Sequence, residues 1–358
     1  IVKAMPKVLL EGARVNGKIY ALPSIKEPGH QWCILINKKY ADKYDFDLTK
    51  VSKLQDLDPM FRIIKQKEKD VIPYLIYANS CHEFSLPIER IDEQVPIGLY
   101  YDNRTRYKLV NALATPEFKE YADLMHKWYS EGFILRDAAA IKSAEDIDES
   151  GKWFAGSASY TQKTEAEASH KLGYAVKAIP IREPFITKKD TEFHMEAISS
   201  TSGNPERAMM FLNLLYTDPY LYNLIVYGIE GKHYEKRAPG VIEKSVNAYF
   251  VEPCTFGNSN LSYNLSYYPR NLKEELKRLN TKAIISPLLK FSFNPDKVES
   301  EIEKITDVTE EIEGPLFTGT VDPDAYLPKI IDKYNKAGLD KVMLEMQRQL
   351  DNWNANRN

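Results

Sequence analysis

The sequence predicts an α/β fold, on three observations. Short β-branched and aromatic runs such as Trp32-Cys33-Ile34-Leu35-Ile36 recur between turn signals, with helix-period stretches between them. Three helices open on a polar residue followed by proline, at Thr115-Pro116, Asn204-Pro205 and Asp218-Pro219, which is the pattern of an N-cap before a proline in the first turn. Connections are mostly short, and no repeat or low-complexity tract breaks the alternation.

In chain order, Asn16-Gly17 is a turn signal, and the short strand after it is closed by Pro23. Beyond a loop with Pro28, Gly29 and His30 comes the buried strand at 32–36, then a helix over 38–44. A longer helix over 54–69 carries Leu57, Phe61 and Ile64 at helical spacing. A strand over 71–77 ends in the polar loop Asn79-Ser80-Cys81-His82-Glu83. The helix opened at Thr115 presents Phe118, Tyr121, Ala122, Met125 and Tyr129 and stops at Gly132. The next two turn Ala208, Phe211, Leu212 and Leu215 inward and end at Gly228, and a last helix over 339–353 carries Leu339, Val342, Met346, Leu350 and Trp353 on one stripe. Short strands are expected near 153–155, 173–178 and 195–198, and a hinge or linker near 236–241, where Ala238-Pro239-Gly240 interrupts the pattern.

A length of 358 residues suffices for two or three domains. With 48 Lys+Arg against 51 Asp+Glu there is no basic excess to neutralise phosphates, so no nucleic-acid partner is expected. No apolar run approaches the ~20 residues of a membrane span. Three cysteines without a CxxC imply neither a disulfide framework nor a thiolate zinc site. The opening residues, starting at Ile1, read as the middle of a domain, so a processed or truncated chain is expected, with any export signal upstream.

Motifs for catalysis are missing: there is no HExxH, GxSxG, Walker loop or GxGxxG before a helix. The six histidines are scattered, so no metal and no cofactor are expected. What remains is neutral hydrogen-bonding and aromatic chemistry at strand ends, where open α/β sheets bind ligands. Trp32, Asn79, His82, Ser157, Tyr160, Glu230, His233 and Tyr234 are the expected ligand-binding residues, in loops after strand or helix ends. Flat apolar faces beside uncharged donors and acceptors suit a polyhydroxylated ligand. Trp128 and Trp153 lie inside predicted elements and read as core; for Trp32 and Tyr160 core and platform are equally open.

Five stretches carry a resemblance over almost the full length. They are the strand Val15-Asn16-Gly17-Lys18-Ile19-Tyr20-Ala21-Leu22-Pro23; Ile36-Asn37-Lys38-Lys39-Tyr40 with Leu54-Gln55-Asp56-Leu57; Ser199 through Ala208 with Asn213-Leu214-Leu215-Tyr216-Thr217-Asp218; Tyr227 through Tyr234 with Gly257-Asn258; and the closing Ala337-Gly338-Leu339-Asp340-Lys341-Val342 to Gln349-Leu350-Asp351. In this order they resemble extracellular solute-binding proteins of carbohydrate ABC transporters (the family 1 type), in the Gram-positive lipoprotein branch with a C-terminal domain of unknown function.

The resemblance implies a two-lobed, periplasmic-binding-protein-like α/β fold of type II. Residues 1–27 and 196–245 would be the remainder of the first lobe, and 28–195 with 246–358 the second. The family normally carries roughly a hundred more residues before the Asn-Gly-Lys strand, a domain-sized unit, so the first lobe is expected to be incomplete here. The function implied is capture of a sugar or oligosaccharide outside the cell, by hinge closure, and delivery to ABC transporter permease subunits. A monomer is expected, lipid-anchored at the outer face of the membrane. The alternatives are an extracellular glycosidase, for which Glu230 with Glu83 is the one nominable acid pair, and a peptide-binding receptor.

Overall fold

The computed structural model describes every residue except 2, 16, 30, 81–85, 247, 357 and 358. The chain forms two compact units, Ile1–His30 with Pro184–Ser292 and Gln31–Glu183 with Phe293–Asn358. These boundaries differ from those expected at 27, 195 and 245. The stretch after 245 stays in the first unit because strand Asn264–Leu265 pairs in parallel with Val241–Lys244, and Tyr263 stacks on Tyr227 with centroids 6.1 Å apart. Residues 184–195 join it because Lys188, in helix Lys188–Glu192, donates to the Gly12 carbonyl at 2.8 Å.

The second unit is built on a four-stranded sheet in the order Val176–Pro180, Gln31–Asn37, Trp153–Tyr160, Ile72–Leu75. The first two pairings are antiparallel and the last is parallel. Adjacent residues of a strand point to opposite faces. Leu75 therefore joins Trp153 and Val176 against Ala168 and Leu172 of helix Thr164–Leu172. Tyr74 turns instead into an aromatic cluster with Phe61 (5.9 Å) and Trp128 (5.0 Å), completed by Phe133 and Phe154 around Phe61. Phe61 comes from helix Asp58–Lys67 and Trp128 from helix Pro116–Ser130, the latter capped by Thr115, whose side chain accepts from the Phe118 N–H.

Three C-terminal helices, Glu299–Phe317, Pro323–Ala337 and Leu339–Ala355, bury Ile312, Leu316, Ile330, Tyr334, Val342, Met346 and Leu350. Gly319 allows the first of them to close on helix Pro116–Ser130. Its φ is +72°, and a Cβ there would stand 2.2 Å from the Met125 carbonyl carbon. All four tryptophans, Trp32, Trp128, Trp153 and Trp353, belong to this unit, and all but Trp353 are buried.

The first unit has no sheet of more than three strands among its described residues. Helices Pro205–Thr217 and Pro219–Tyr227 form where the two proline-opened signals predict them. Leu215 and Tyr216 pack with Met5, Leu9 and Ile25, while Tyr222, Val226, Tyr227, Tyr234, Ile242 and Leu265 make a second core. The expected linker at 236–241 is instead an antiparallel hairpin, Tyr234–Ala238 with Val241–Lys244, and Gly240 at φ +72° turns the chain.

A half-buried polar node holds these parts together. Strand Met195–Glu196 pairs with Leu22–Pro23, and the Glu196 carboxylate accepts from the Gly257 N–H at 2.7 Å and from the Tyr216 hydroxyl. That hydroxyl also lies 2.9 Å from the Pro23 carbonyl. Burial pushes the Glu196 carboxyl above the usual range, and does the same to Glu27, which accepts from Asn280.

Candidate functional site

Strand directions in the second unit bring several predicted residues to one edge. Strand 153–160 runs parallel to 72–75, and 176–180 is antiparallel to 31–37, which is itself antiparallel to 153–160. Three carboxyl ends therefore share an edge, and strand 31–37 begins there with Gln31 and Trp32. That is the edge at which open α/β sheets place ligands. Strand 72–75 stops where Leu75 meets Gly156, whereas 153–160 runs on to Tyr160 beside 31–37 alone. Past that point its residues are small, Ser157-Ala158-Ser159, and burial falls away toward an exposed Ser159.

Ser157 and Tyr160, expected in a loop, lie in a strand, and Trp32 stands in the strand its own apolar run predicts, because the ladder continues to the pairs Trp32↔Ser159 and Gln31↔Tyr160. Trp32 is buried, 6% exposed. Tyr160 is half-buried and its hydroxyl donates to Gln162 Oε1 at 2.8 Å. Across from it, the Gln31 amide donates to the Arg182 carbonyl at 2.7 Å, tying the start of one strand to the residues after another. Burial draws the Arg182 guanidinium below its ordinary pKa, against Tyr101 and Glu117, which favour its charge.

Ser157 lies on the same face as Trp32, Ile34 and Tyr74, as the pairs Ile34↔Ser157 and Tyr74↔Ala155 require. Its Oγ is shut from solvent and faces the Tyr74 hydroxyl. Burial pushes that phenol well above its ordinary value, and Ser157 partly offsets the shift. Asn79, exposed in the loop after strand 72–75, donates to the Lys142 carbonyl at 3.0 Å. His82 lies outside the described residues.

The other three predicted residues belong to one turn of the first unit. Glu230 is half-exposed and ion-paired with Lys236 at 2.6 Å. His233 Nδ1 accepts from the Ile229 N–H at 2.9 Å, which leaves its proton on Nε2. Gly228, at φ +78°, makes room for that ring: a Cβ there would come within 2.3 Å of Nδ1. Tyr234 is buried against Tyr227 and Tyr263, with centroids 6.2 and 5.9 Å away. The structure thus gathers Trp32, Asn79, Ser157 and Tyr160 at one sheet edge, and Glu230, His233 and Tyr234 in one turn.

Sequence reasoning missed Tyr74 and Arg182. No local signal marks either: Tyr74 is tied to Ser157 only through pairing across some eighty residues of chain. Among the described residues no group of three or more His, Cys, Asp or Glu could hold a metal ion. No helix among them is long and apolar enough to cross a membrane.

Comparison with known proteins adds the following. Residues 287–355 match a family profile described as a domain of unknown function, DUF3502. Over 99% of its length the chain is similar, at 32% identity, to a carbohydrate ABC transporter substrate-binding protein of Streptococcus pneumoniae, of which it spans 73%. It superposes with a TM-score of 0.91 and 29% identity on the crystal structure of the N-glycan transport solute binding protein NgtS of Streptococcus pneumoniae, matching all of this chain and 80% of that one. NgtS in complex with Man5GlcNAc gives 0.82 at the same identity and coverage. An HMO binding, ABC-transporter associated solute binding protein of Bifidobacterium longum infantis gives 0.65 at 16% identity over 98% of this chain and 80% of that one, a likeness of fold.

Proposed function

Because the chain belongs to the family of carbohydrate ABC transporter substrate-binding proteins, we propose that it captures an oligosaccharide of the mannose–N-acetylglucosamine type outside the cell and delivers it to the permease subunits of an ABC transporter. Identity of 32% over 99% of the chain carries this reading. NgtS complexes with Man1GlcNAc and Man5GlcNAc, at 29% identity, support the ligand class. Binding without turnover, a monomeric state and a lipid anchor at the outer membrane face are parts of the same proposal.

The residues at the sheet edge suit such a ligand. Tyr160 offers a half-buried ring with a hydroxyl steadied by Gln162, and Asn79 and Ser159 offer uncharged polar groups to ring hydroxyls. In the first unit, the Glu230 carboxylate is an acceptor for sugar hydroxyls and the His233 Nε2–H a donor. Capture needs no chemistry on the ligand. Moving a two-state receptor from 1:99 to 99:1 takes ~5.5 kcal/mol of differential affinity, and a micromolar ligand brings ~8 kcal/mol.

The test is calorimetric titration with Man1GlcNAc and Man5GlcNAc, followed by mass spectrometry of the glycan after prolonged incubation. Binding with stoichiometric recovery of intact glycan supports the reading; turnover overturns it. Tyr160→Ala is expected to weaken binding by about 1–3 kcal/mol, the scale of a lost aromatic platform. Glu230→Gln is expected to change affinity with no activity to lose.

A further inference from the structure

We propose that the hydroxyls of Tyr74 and Ser157 form a hydroxyl-binding subsite beneath the carboxyl edge of the second unit's sheet, sharing one oxygen between them. The inference rests on the glycan reading and identifies the residue pair that would read a single hydroxyl of the bound oligosaccharide.

Tyr74 is 0% exposed, and its hydroxyl and the Ser157 Oγ are both shut from solvent. Ser157 lies close enough to act on the Tyr74 phenol as a hydrogen-bonding neighbour, yet among the described residues neither hydroxyl has a partner in strict hydrogen-bond geometry. Buried polar atoms in folded proteins are almost always hydrogen-bonded, and one left without a partner is a standing cost to folding. Two such hydroxyls side by side are instead explained by a third oxygen shared between them.

Their position fits a ligand role. Strand pairing sets Ser157 diagonally ahead of Tyr74 on the same sheet face, a separation that a tyrosine spans. Ser157 also belongs to the small-residue stretch beyond the end of strand 72–75, where the sheet opens toward Ser159 and Tyr160. A tyrosine and a serine can each donate or accept. They can therefore share one small polar group between them, and at a glycan site that group is a sugar hydroxyl or a water. The shared oxygen has two sources: a hydroxyl of the glycan itself, or an ordered water underneath it.

The experiment uses the full chain, with Tyr74→Phe and Ser157→Ala. Each is titrated against Man1GlcNAc and a set of its monodeoxy analogues, and glycan-free and glycan-bound crystals are taken to a resolution that shows waters. Tyr74→Phe, a conservative change, is expected to lower affinity about five- to thirtyfold. If the oxygen is the glycan's, one deoxy analogue loses that factor in the unmodified protein and nothing further in Tyr74→Phe. If it is a water, every analogue loses alike, and density between the two hydroxyls is present in the glycan-free crystal and gone in the variants. Unchanged affinity in both variants, with no oxygen between the hydroxyls, overturns the subsite. Should the unmodified protein bind neither glycan, the functional reading fails, and the glycan-free density alone decides the subsite: an oxygen there keeps it and its absence overturns it.

Discussion

The two units solve the same folding problem with different materials. The second is organised by one four-stranded sheet and a cluster of rings, Phe61, Tyr74, Trp128, Phe133 and Phe154, whose centroids lie 4.9 to 6.1 Å apart where they touch. The first has, among its described residues, sheets of no more than three strands, and relies on side chains with polar ends. The Tyr216 hydroxyl serves Glu196, the Tyr227 hydroxyl meets Ser262 and the Tyr263 carbonyl at 2.9 and 3.1 Å, and Asn280 bridges Glu27 and Gly29. A continuous sheet satisfies its own backbone and can bury apolar faces on both sides. Without one, buried side-chain polar groups must take up backbone atoms one at a time.

If that contrast is right, the largest effect comes from the rings. Phe61→Ala is expected to cost about 3–5 kcal/mol in a urea melt, from lost burial and the cavity it leaves. A smaller loss would mean that the cluster contributes less than its packing implies. Next comes Tyr216→Phe, which leaves the volume intact and removes a donor from a half-buried carboxylate. About 1.5–3 kcal/mol is expected, and a loss near zero would break the claim that the first unit depends on such nodes.

The third prediction concerns pH. Glu196 has a folded-state pKa above its unfolded value, so its favourable contribution is complete below about pH 4.5 and is lost as pH rises through the folded value. Glu196→Gln keeps the shape, and its amide can donate to the Tyr216 oxygen while the phenol turns to Pro23. The variant is therefore expected within about 1 kcal/mol of the parent at pH 7.5, with a flatter stability profile above pH 4.5. A steeper profile would refute the assignment. The opposite sign is expected in the second unit. Ion pairing with Arg348 and a hydrogen bond from Gln349 lower Glu345 to about 2, so its contribution is present at neutral pH and fades as pH falls from about 4.5 toward 2. Glu345→Gln should show a small change in thermal midpoint at pH 7 that disappears near pH 2. Asp148, raised by burial, and Glu11, lowered by Lys290, run against the trend of their units and temper the whole-chain profile.

The same contrast governs what the sequence discloses. Strand 31–37 and the proline-opened helices are legible because a residue's neighbours fix its environment there: an unbroken apolar run, or a cap followed by a 3.6-residue period. Hairpin 234–244 is illegible because Glu235-Lys236-Arg237 lack alternation, both strands being largely exposed, so the Pro239-Gly240 turn reads as a linker. Strands Ile88–Arg90, Ile97–Tyr100 and Val110–Asn111 are too short for a periodic signal. At the candidate site, Trp32, Ser157 and Tyr160 are visible as residue types at a strand end, but the strand outlasts the apolar run that marks it. Tyr74 shows its second role only through register, which no local pattern encodes.

The placement of the indoles has a spectroscopic consequence. Since Trp32, Trp128, Trp153 and Trp353 all lie in the second unit, emission excited at the red edge of the absorption band comes from that unit alone. Three of the four are buried and should emit toward the blue and resist iodide, leaving Trp353 as the quenchable fraction. The first unit remains dark in that channel, and with 10 of the 23 tyrosines it shows only in tyrosine absorbance, as the part of that signal that does not follow the tryptophan emission. A denaturant titration followed in both channels thus asks, without any label, whether the two units melt together or one before the other.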